Sequence, residues 1–253
     1  MINLADKTIL VTGASSGIGR ATSILISQLG ASSILLGRSK SELDVTLSKM
    51  DMKQPKHHVL PFDLSRPEKF NELLDSMAGF ANKIDGVVHC AGISVTEPLR
   101  FINIESVDQV IDMNVKSTIY LISGLRKRRM LNPGASIVLL SSIAALIGEP
   151  SIAAYSASKG AIISLTQSLA AELVMPNKVR VNCLAPAIVK TEMIDKKFKD
   201  FRDEEIESLK KKHPLGFGSP EDIANAAAFF LSDAARWITG SCLIIDGGRS
   251  LGI

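Results

Sequence analysis

A glycine-rich turn between a short strand and a helix is the feature that most limits the fold of this chain. Residues 7–11 form the β-branched run KTILV, residues 12–19 read TGASSGIG, and a helix-like stretch continues to Leu29. Glycines let the backbone approach a ligand closely, and the free N–H groups at the start of a helix attract an anion. The segment therefore predicts a pyrophosphate site. Its candidate residues are Gly13, Ser15, Ser16, Gly17, Ile18 and Gly19.

The rest of the chain alternates between strand-like and helix-like segments. Strand-like runs fall at about residues 7–11, 32–36, 57–60, 85–90, 136–141, 179–184 and 242–246. This alternation predicts an α/β fold, namely one Rossmann-type, doubly wound parallel sheet of about seven strands with helices on both faces. Ligands of such sheets bind beyond the carboxyl ends of the strands. The residues that follow the strands are expected to share that edge: Gly13, Arg38, Asp63, Ala91, Gly92, Ser142 and Pro186.

Length and composition narrow the class of protein. The chain has 253 residues, 46% of them hydrophobic, and no linker-like segment interrupts it, so we expect a single domain over residues 1–253. A net charge of +3 does not indicate a nucleic-acid partner. No basic-then-apolar leader is present, and no apolar run reaches the roughly 18 residues that span a bilayer. We therefore expect a cytoplasmic protein with no membrane partner.

The spacing of the cysteines and histidines argues against a disulfide framework and against a bound metal. The three cysteines are scattered through apolar segments, which suits a reducing compartment. The four histidines show no spacing typical of metal ligands, so no metal is expected.

Tyr155 and Lys159 stand four residues apart, which places a phenol and an ammonium on one face of a helix. A phenol has a pKa near 10 and needs a shift of roughly 3 units, or about 4 kcal/mol, to act as an acid or base at neutral pH. One cation at about 4 Å, with an effective dielectric of about 20, supplies on the order of 4 kcal/mol. Taken alone, the pair more often indicates a surface lysine beside a half-buried tyrosine.

Taken together, TGxxxGIG, Ser142, Tyr155 and Lys159 resemble the short-chain dehydrogenase/reductase family in its single-domain form. The resemblance runs from Lys7 to Gly248 and is greatest to the 3-oxoacyl-carrier-protein reductase branch. It implies that Ser142 binds the substrate carbonyl, that Tyr155 donates a proton as hydride arrives, and that Lys159 lowers the phenol pKa and holds the nicotinamide ribose. Asn114 matches the family position that orders a water behind the lysine.

The same resemblance assigns the remaining cofactor contacts. Asp63 and the Leu64 backbone would meet the adenine, although Asp63 equally fits a cap of the helix that begins near Pro67. Thr191 and the Ile188 backbone would bind the nicotinamide end. Ala91, Gly92 and Pro186 belong to the same expected site.

Two departures from the family pattern affect the site. His89 and Cys90 stand where the family has two asparagines, so a side-chain amide that joins neighbouring strands is missing. Ala187 replaces the usual glycine after Pro186, which stiffens the entry to the substrate loop.

Arg38 predicts the choice of cofactor. The segment after the second strand, LLGRSK, has no carboxylate to hold a free 2′-hydroxyl and presents Arg38 instead. An arginine binds a 2′-phosphate bidentately, whereas the acid that selects NAD would repel it. We therefore expect NADPH to be preferred to NADH.

The resemblance implies a small-molecule carbonyl substrate, with an acyl-carrier thioester as one candidate. Residues 191–217 are expected to form an amphipathic lid over the nicotinamide. Candidate pocket residues are Val95, Ile143, Leu146, Gly148 and Met193. By resemblance, the chain would assemble as a homotetramer.

Two other functions also match parts of the sequence. A reductase-like fold can bind a dinucleotide as a sensor without catalysis. Residues 13–17 also satisfy GxSxG, the nucleophile turn of serine hydrolases, with Ser15 as nucleophile and His213 as the only histidine far downstream. That turn normally follows several strands, whereas here it follows the first one.

Overall fold

A parallel sheet organises the protein, as seen in a computed structural model that describes residues 2–52, 56–199 and 201–252. Seven strands in this part of the chain form the sheet in the order β3-β2-β1-β4-β5-β6-β7. The strands are β1 Thr8–Thr12, β2 Ser32–Gly37, β3 His57–Pro61, β4 Ile84–His89, β5 Leu131–Leu140, β6 Arg180–Pro186 and β7 Cys242–Ile245. This confirms the predicted Rossmann-type fold class.

Helices cover both faces of the sheet. They are α1 Gly17–Gln28, α2 Lys40–Leu47, α3 Phe70–Ala78, α4 Ile104–Ile111, α5 Ser117–Lys127, α6 Ala153–Asn177, α7 Glu192–Phe198, α8 Asp203–Lys211 and α9 Pro220–Leu231. Leu10 of β1 packs with α3, α5 and α6, whereas its neighbours Ile9 and Val11 pack with α1 and α9. Successive strand side chains thus enter opposite cores, as the two-residue period of a strand requires.

The largest boundary error of the sequence-based prediction concerns β5. We expected this strand at 136–141, but it begins at Leu131, which pairs with Ile84. The register of the β4–β5 ladder shifts between Ile84 and Gly86. The intervening sequence Asn132-Pro133-Gly134 has the composition of a turn, and such an irregularity within a ladder leaves no periodic signal.

The strand order reverses between β1 and β4, and a buried histidine joins the two strands there. Thr12 Oγ1 lies 3.0 Å from His89 Nδ1 and accepts the Ala91 N–H at 3.1 Å. The expectation that replacing an asparagine by His89 removes a side-chain link between strands is therefore wrong, since the imidazole makes the contact. Burial, with a smaller contribution from the charge of Lys159, lowers the pKa of His89 to about 3.

A neutral buried histidine makes the fold sensitive to acid. Below an ordinary pKa of about 6.5 the unfolded chain binds a proton at His89 that the native state cannot accept until about pH 3, so stability is lost as pH falls between these values. Between pH 7 and 5 we expect the free energy of unfolding of the wild type to fall by about 2 kcal/mol more than that of His89→Asn.

Urea unfolding at the two pH values measures this difference. His57→Asn, which removes a partly exposed imidazole from β3, is the control and should follow the wild type. Equal pH slopes for the wild type and His89→Asn would contradict the prediction.

Candidate active site

A cleft of about 300 Å³ opens at the carboxyl edge of the sheet, where the strand order reverses. The ends of β2, β5 and β6 and the loops that follow β1 and β4 meet α1, α6 and α7 there. The predicted site residues that line it are Gly13, Ser15, Ser16, Gly17, Ile18, Gly19, Arg38, Leu64, Ala91, Gly92, Ser142, Tyr155, Lys159, Pro186 and Thr191. Asp63, Asn114 and Ile188 are not among its lining residues.

The glycine-rich turn packs too tightly for side chains at two of its positions. Gly13 has a φ of +66°, and a Cβ placed on it would lie 2.9 Å from the Ala91 nitrogen. A Cβ on Gly19 would lie 2.2 Å from the Gly13 carbonyl oxygen. These contacts pack the turn after β1 against the loop that follows β4 and the start of α1 against Gly13.

A carboxylate from the predicted lid contacts this turn. Glu192 Oε2 accepts the Gly17 N–H at 2.9 Å, and Glu192 Oε1 pairs with Arg20 at 3.0 Å. The N-terminus of α1 thus binds an anionic oxygen in this structure, as expected for the positive end of a helix. Sequence reasoning missed Glu192, because nothing local marks a contact between residues this far apart in the chain.

Two hydrogen bonds in opposite directions hold α6 against the end of β5. The Ser141 hydroxyl donates to the Lys159 carbonyl at 2.8 Å, and Lys159 Nζ donates to the Leu140 carbonyl at 2.7 Å. The Lys159 side chain is buried, and this burial lowers its pKa to about 8, although interaction with Cys90 opposes the shift. Its ammonium is therefore largely charged at neutral pH.

Burial dominates the electrostatics of Tyr155. Burial raises the pKa of the phenol, and a hydrogen bond with Ser142 offsets this only in part. Lys159 Nζ lies 5.7 Å from the centre of the tyrosine ring and donates to Leu140. In this state of the protein the ammonium is directed to a carbonyl and burial decides the direction of the phenol pKa, so the expectation that Lys159 lowers this pKa stays a prediction. The phenol is protonated at neutral pH.

Asn114 lies behind the cleft in a π-helical turn, Asp112–Lys116, between α4 and α5. Its Oδ1 accepts the Ile93 N–H at 2.8 Å, and its Nδ2 donates to the Ile93 carbonyl at 3.0 Å and to Ser158 Oγ at 2.9 Å. The side chain therefore links the loop after β4 to the residue next to Lys159. The sequence predicted an ordinary helix here, because one extra residue in a turn barely alters hydrophobic periodicity.

Asp63 and Ile188 make local contacts outside the cleft lining. Asp63 Oδ1 accepts the Ser65 N–H at 3.0 Å and its hydroxyl at 2.8 Å. Partial burial opposes ionisation of Asp63, but these bonds and the charges of Arg38 and Arg66 hold its pKa below the usual value. The Ile188 carbonyl accepts the Gly218 N–H at 3.0 Å, which joins the two segments that flank the predicted lid.

The substrate side of the cleft was the least predictable part. Of the five candidate pocket residues only Met193 lines it. Lining residues that sequence reasoning missed include Phe62, Cys90, Ile93, Ser94, Met113 and Ile194. These are ordinary core types in loops and helix ends, so no pattern distinguishes them from packing residues.

The geometry does not supply the hydrolase alternative with a base. His213 Nδ1 lies 2.7 Å from the Leu209 carbonyl, and its ring packs edge-on against Phe217 with centroids 5.1 Å apart. No histidine is found among the lining residues that the structure describes, so Ser15 has no imidazole within the cleft.

The described residues contain neither a metal-binding cluster nor a membrane-spanning helix. Within residues 2–52, 56–199 and 201–252, no group of three or more His, Cys, Asp or Glu side chains is placed to hold a metal ion. In the same ranges, none of the helices combines the length and the apolar character that crossing a membrane requires.

The comparisons with known proteins agree on one protein family. A family model described as enoyl-(acyl-carrier-protein) reductase matches residues 13–250. The chain is 36% identical to a 3-oxoacyl-[acyl-carrier-protein] reductase FabG of Rickettsia felis, with 98% of each chain covered. It is 34% identical to an NAD-dependent glycerol dehydrogenase of Listeria innocua, with 98% of this chain and 96% of the relative covered.

A solved structure agrees with these sequence relatives. A short-chain type dehydrogenase/reductase from Mycobacterium ulcerans superposes with a TM-score of 0.90 at 31% identity, covering 99% of this chain and 92% of that one. The family resemblance inferred from the motifs is thereby confirmed. The chain belongs to the short-chain dehydrogenase/reductase family and is an oxidoreductase of its 3-oxoacyl-carrier-protein reductase-like branch.

Proposed function

We propose that the protein reduces a ketone to a secondary alcohol with NADPH and that Tyr155 donates the proton. The observation that carries this proposal is that Tyr155 lines one cleft together with Ser142, Lys159 and the glycine-rich turn. A phenol that retains its proton at neutral pH suits a donor in the reductive direction.

The residues of the cleft fit a dinucleotide. The tight turn at Gly13 and Gly19, and the carboxylate already bound at the Gly17 amide, support a pyrophosphate site on the first turn of α1. Arg38 would hold the 2′-phosphate, and Asp63 and Leu64 would lie near the adenine. Bound NADPH supplies the hydride. Pro186, Ile188 and Thr191 would surround the nicotinamide end.

The catalytic steps belong to the side chains of α6 and the end of β5. Ser142 Oγ would donate a hydrogen bond to the substrate carbonyl oxygen and so orient it toward Tyr155. The phenol would transfer its proton to that oxygen as negative charge develops there. Lys159 would stabilise the phenolate left behind, and Asn114 would hold a water that returns the proton.

Tyr155→Phe tests the proposed donor directly. This substitution removes one hydroxyl and keeps the ring, so we expect kcat/KM for ketone reduction to fall by about 10²–10⁴-fold while NADPH still binds. NADPH oxidation with a panel of ketones, together with fluorescence titration of NADPH, measures both properties. Tyr120→Phe, which alters the partly exposed tyrosine of α5, is the matched control.

The same panel separates catalysis from sensing. A non-catalytic sensor would bind NADPH but oxidise it with none of the carbonyl compounds in the wild type. An unchanged kcat/KM in Tyr155→Phe would reject Tyr155 as the donor.

We propose NADPH as the cofactor because Arg38 lines the cleft at the end of β2. One relative is named as NAD-dependent, so the preference needs its own test. A charged hydrogen bond contributes about 1.5–3 kcal/mol, and an aspartate would add repulsion. We expect Arg38→Asp to lower the NADPH/NADH ratio of kcat/KM by roughly 100-fold.

Lys49→Asp is the charge-matched control, because Lys49 is exposed and lies outside the cleft lining. Its NADPH/NADH ratio should equal that of the wild type. A ratio unaffected by Arg38→Asp would show that Arg38 does not bind the 2′-phosphate.

We propose a 3-oxoacyl thioester as the substrate, supported by the relative named as a 3-oxoacyl-[acyl-carrier-protein] reductase. We also infer a closing lid over residues 191–217, of which residue 200 lies outside the described part of the chain. Glu192 and Lys197 of α7 contact opposite sides of the cleft, so movement of this helix would change both contacts.

We further propose a cytoplasmic homotetramer. Cys90, Cys183 and Cys242 are free thiols, which suits a reducing compartment. Apolar side chains are exposed on α4, on α5 and near β7, and burial against other copies would remove them from water. They include Ile104, Tyr120, Trp237, Leu243 and Ile244. A monomer in light scattering would contradict the assembly.

A further inference from the structure

A half-buried lysine without a carboxylate partner lies at the edge of the cleft. Lys197 Nζ is 2.9 Å from Ser94 Oγ and 3.2 Å from Thr96 Oγ1. In the part of the chain that the structure describes, no ion pair involves Lys197. Two acids near this lysine have other partners, since Glu192 binds Gly17 and Arg20 and Glu97 accepts the Ser106 hydroxyl.

This lysine lies next to the walls of the cleft. Met193 and Ile194 of α7 line the cleft, and Lys197 follows them by four and three residues on the same helical face. Ser94, which Lys197 contacts, lines the cleft from the opposite side. The ammonium and the two hydroxyls therefore converge at the junction of α7 and the loop after β4.

An unpaired cation in such a position is costly. Burial disfavours the charged form and lowers the pKa of Lys197, and the described residues provide no ion pair that offsets the effect. Two hydroxyl oxygens satisfy donors of the ammonium but leave its charge uncompensated. The hydroxyl hydrogens of Ser94 and Thr96 can rotate toward an additional acceptor. Together, the three groups present the donor set of an oxyanion site.

We propose that Lys197, with Ser94 and Thr96, binds an anionic group of the substrate away from its reacting carbonyl. The substrate class is then an anionic 3-oxo compound, whose charge is a phosphate, as on a phosphopantetheine arm, or a carboxylate. This inference rests on the proposed ketone reduction and specifies which ketones the cleft selects. It assigns Lys197 a role in specificity, separate from the proton transfer at Tyr155.

Two matched substrate pairs test directly whether the protein prefers an anionic substrate to a neutral one. One pair is acetoacetyl-pantetheine and its 4′-phosphate, and the other is ethyl acetoacetate and acetoacetate. In the wild type we expect kcat/KM to be higher for the anionic member than for the neutral member of one pair. A preference in the first pair identifies a phosphate as the anion, and a preference in the second identifies a carboxylate. A charge-assisted hydrogen bond predicts that Lys197→Gln lowers the anionic-to-neutral ratio by about tenfold. Lys197→Arg should retain most of the preference.

Lys196→Gln is the matched control, because Lys196 is the exposed neighbour of Lys197 on α7. It should leave the ratios at their wild-type values. Equal ratios in the wild type and Lys197→Gln, or an equal loss in Lys196→Gln, would overturn the proposal. Thermal unfolding verifies that each variant is folded.

A binding measurement distinguishes failure of this inference from failure of the proposed function. Calorimetry with NADP present compares the dissociation constants of the same four compounds without turnover. If the anionic compound binds more tightly than its neutral partner, and its affinity falls about tenfold in Lys197→Gln, the site is supported even where NADPH is not oxidised. Equal affinities for charged and neutral members in the wild type would overturn it.

Discussion

The attachment of α6 to the end of β5 is the interaction on which the catalytic side of the cleft depends. Ser141 binds the backbone of Lys159, and the Lys159 ammonium binds the backbone of Leu140, so each segment holds the other. Because Ser142 follows Ser141 directly and Tyr155 lies one turn before Lys159, these two bonds also fix the hydroxyl groups of Ser142 and Tyr155. The ammonium is held in a buried position, which lowers its pKa to about 8.

The cofactor side depends on a second constraint, the close approach of backbone segments where the strand order reverses. Gly13 and Gly19 allow the turn after β1 to contact the loop after β4, and Thr12 and His89 join the two strands beneath it. Asn114 then connects that loop to Ser158, beside Lys159. The two halves of the cleft are thus linked through one chain of buried polar contacts, which supports their acting as a unit.

Most of the fold was predictable from the sequence, because buried parallel strands leave β-branched runs that alternate with helical periods. Six strands begin and end within two residues of their predicted limits, and only the start of β5 was missed. The position of Ser142 at the cleft edge also followed from strand order, whereas Tyr155 and Lys159 were assigned to the site by the family resemblance. Spacing alone does not determine the direction of a side chain, and for that reason the effect of burial on the pKa of Tyr155 and the contact of His89 with Thr12 were not predicted.

The contacts of α7 were not predictable, since they join residues far apart in the chain. Glu192 reaches the Gly17 amide and Lys197 reaches Ser94, yet the sequence of α7 reads only as a short charged helix. The lining of the substrate side consists of ordinary apolar residues and loop hydroxyls. The proposed role of Lys197 in substrate selection therefore rests on contacts that only the packed structure reveals.

Isotope transfer tests most directly the central claim that hydride passes from NADPH to a ketone within this cleft. The protein is supplied with NADPH that carries two deuterium atoms at C4 of the nicotinamide, together with a 3-oxoacyl thioester. The account predicts that mass spectrometry finds one deuterium on the carbinol carbon of the product alcohol. NADPH that binds in the cleft but yields no alcohol, or an alcohol without deuterium, would contradict it.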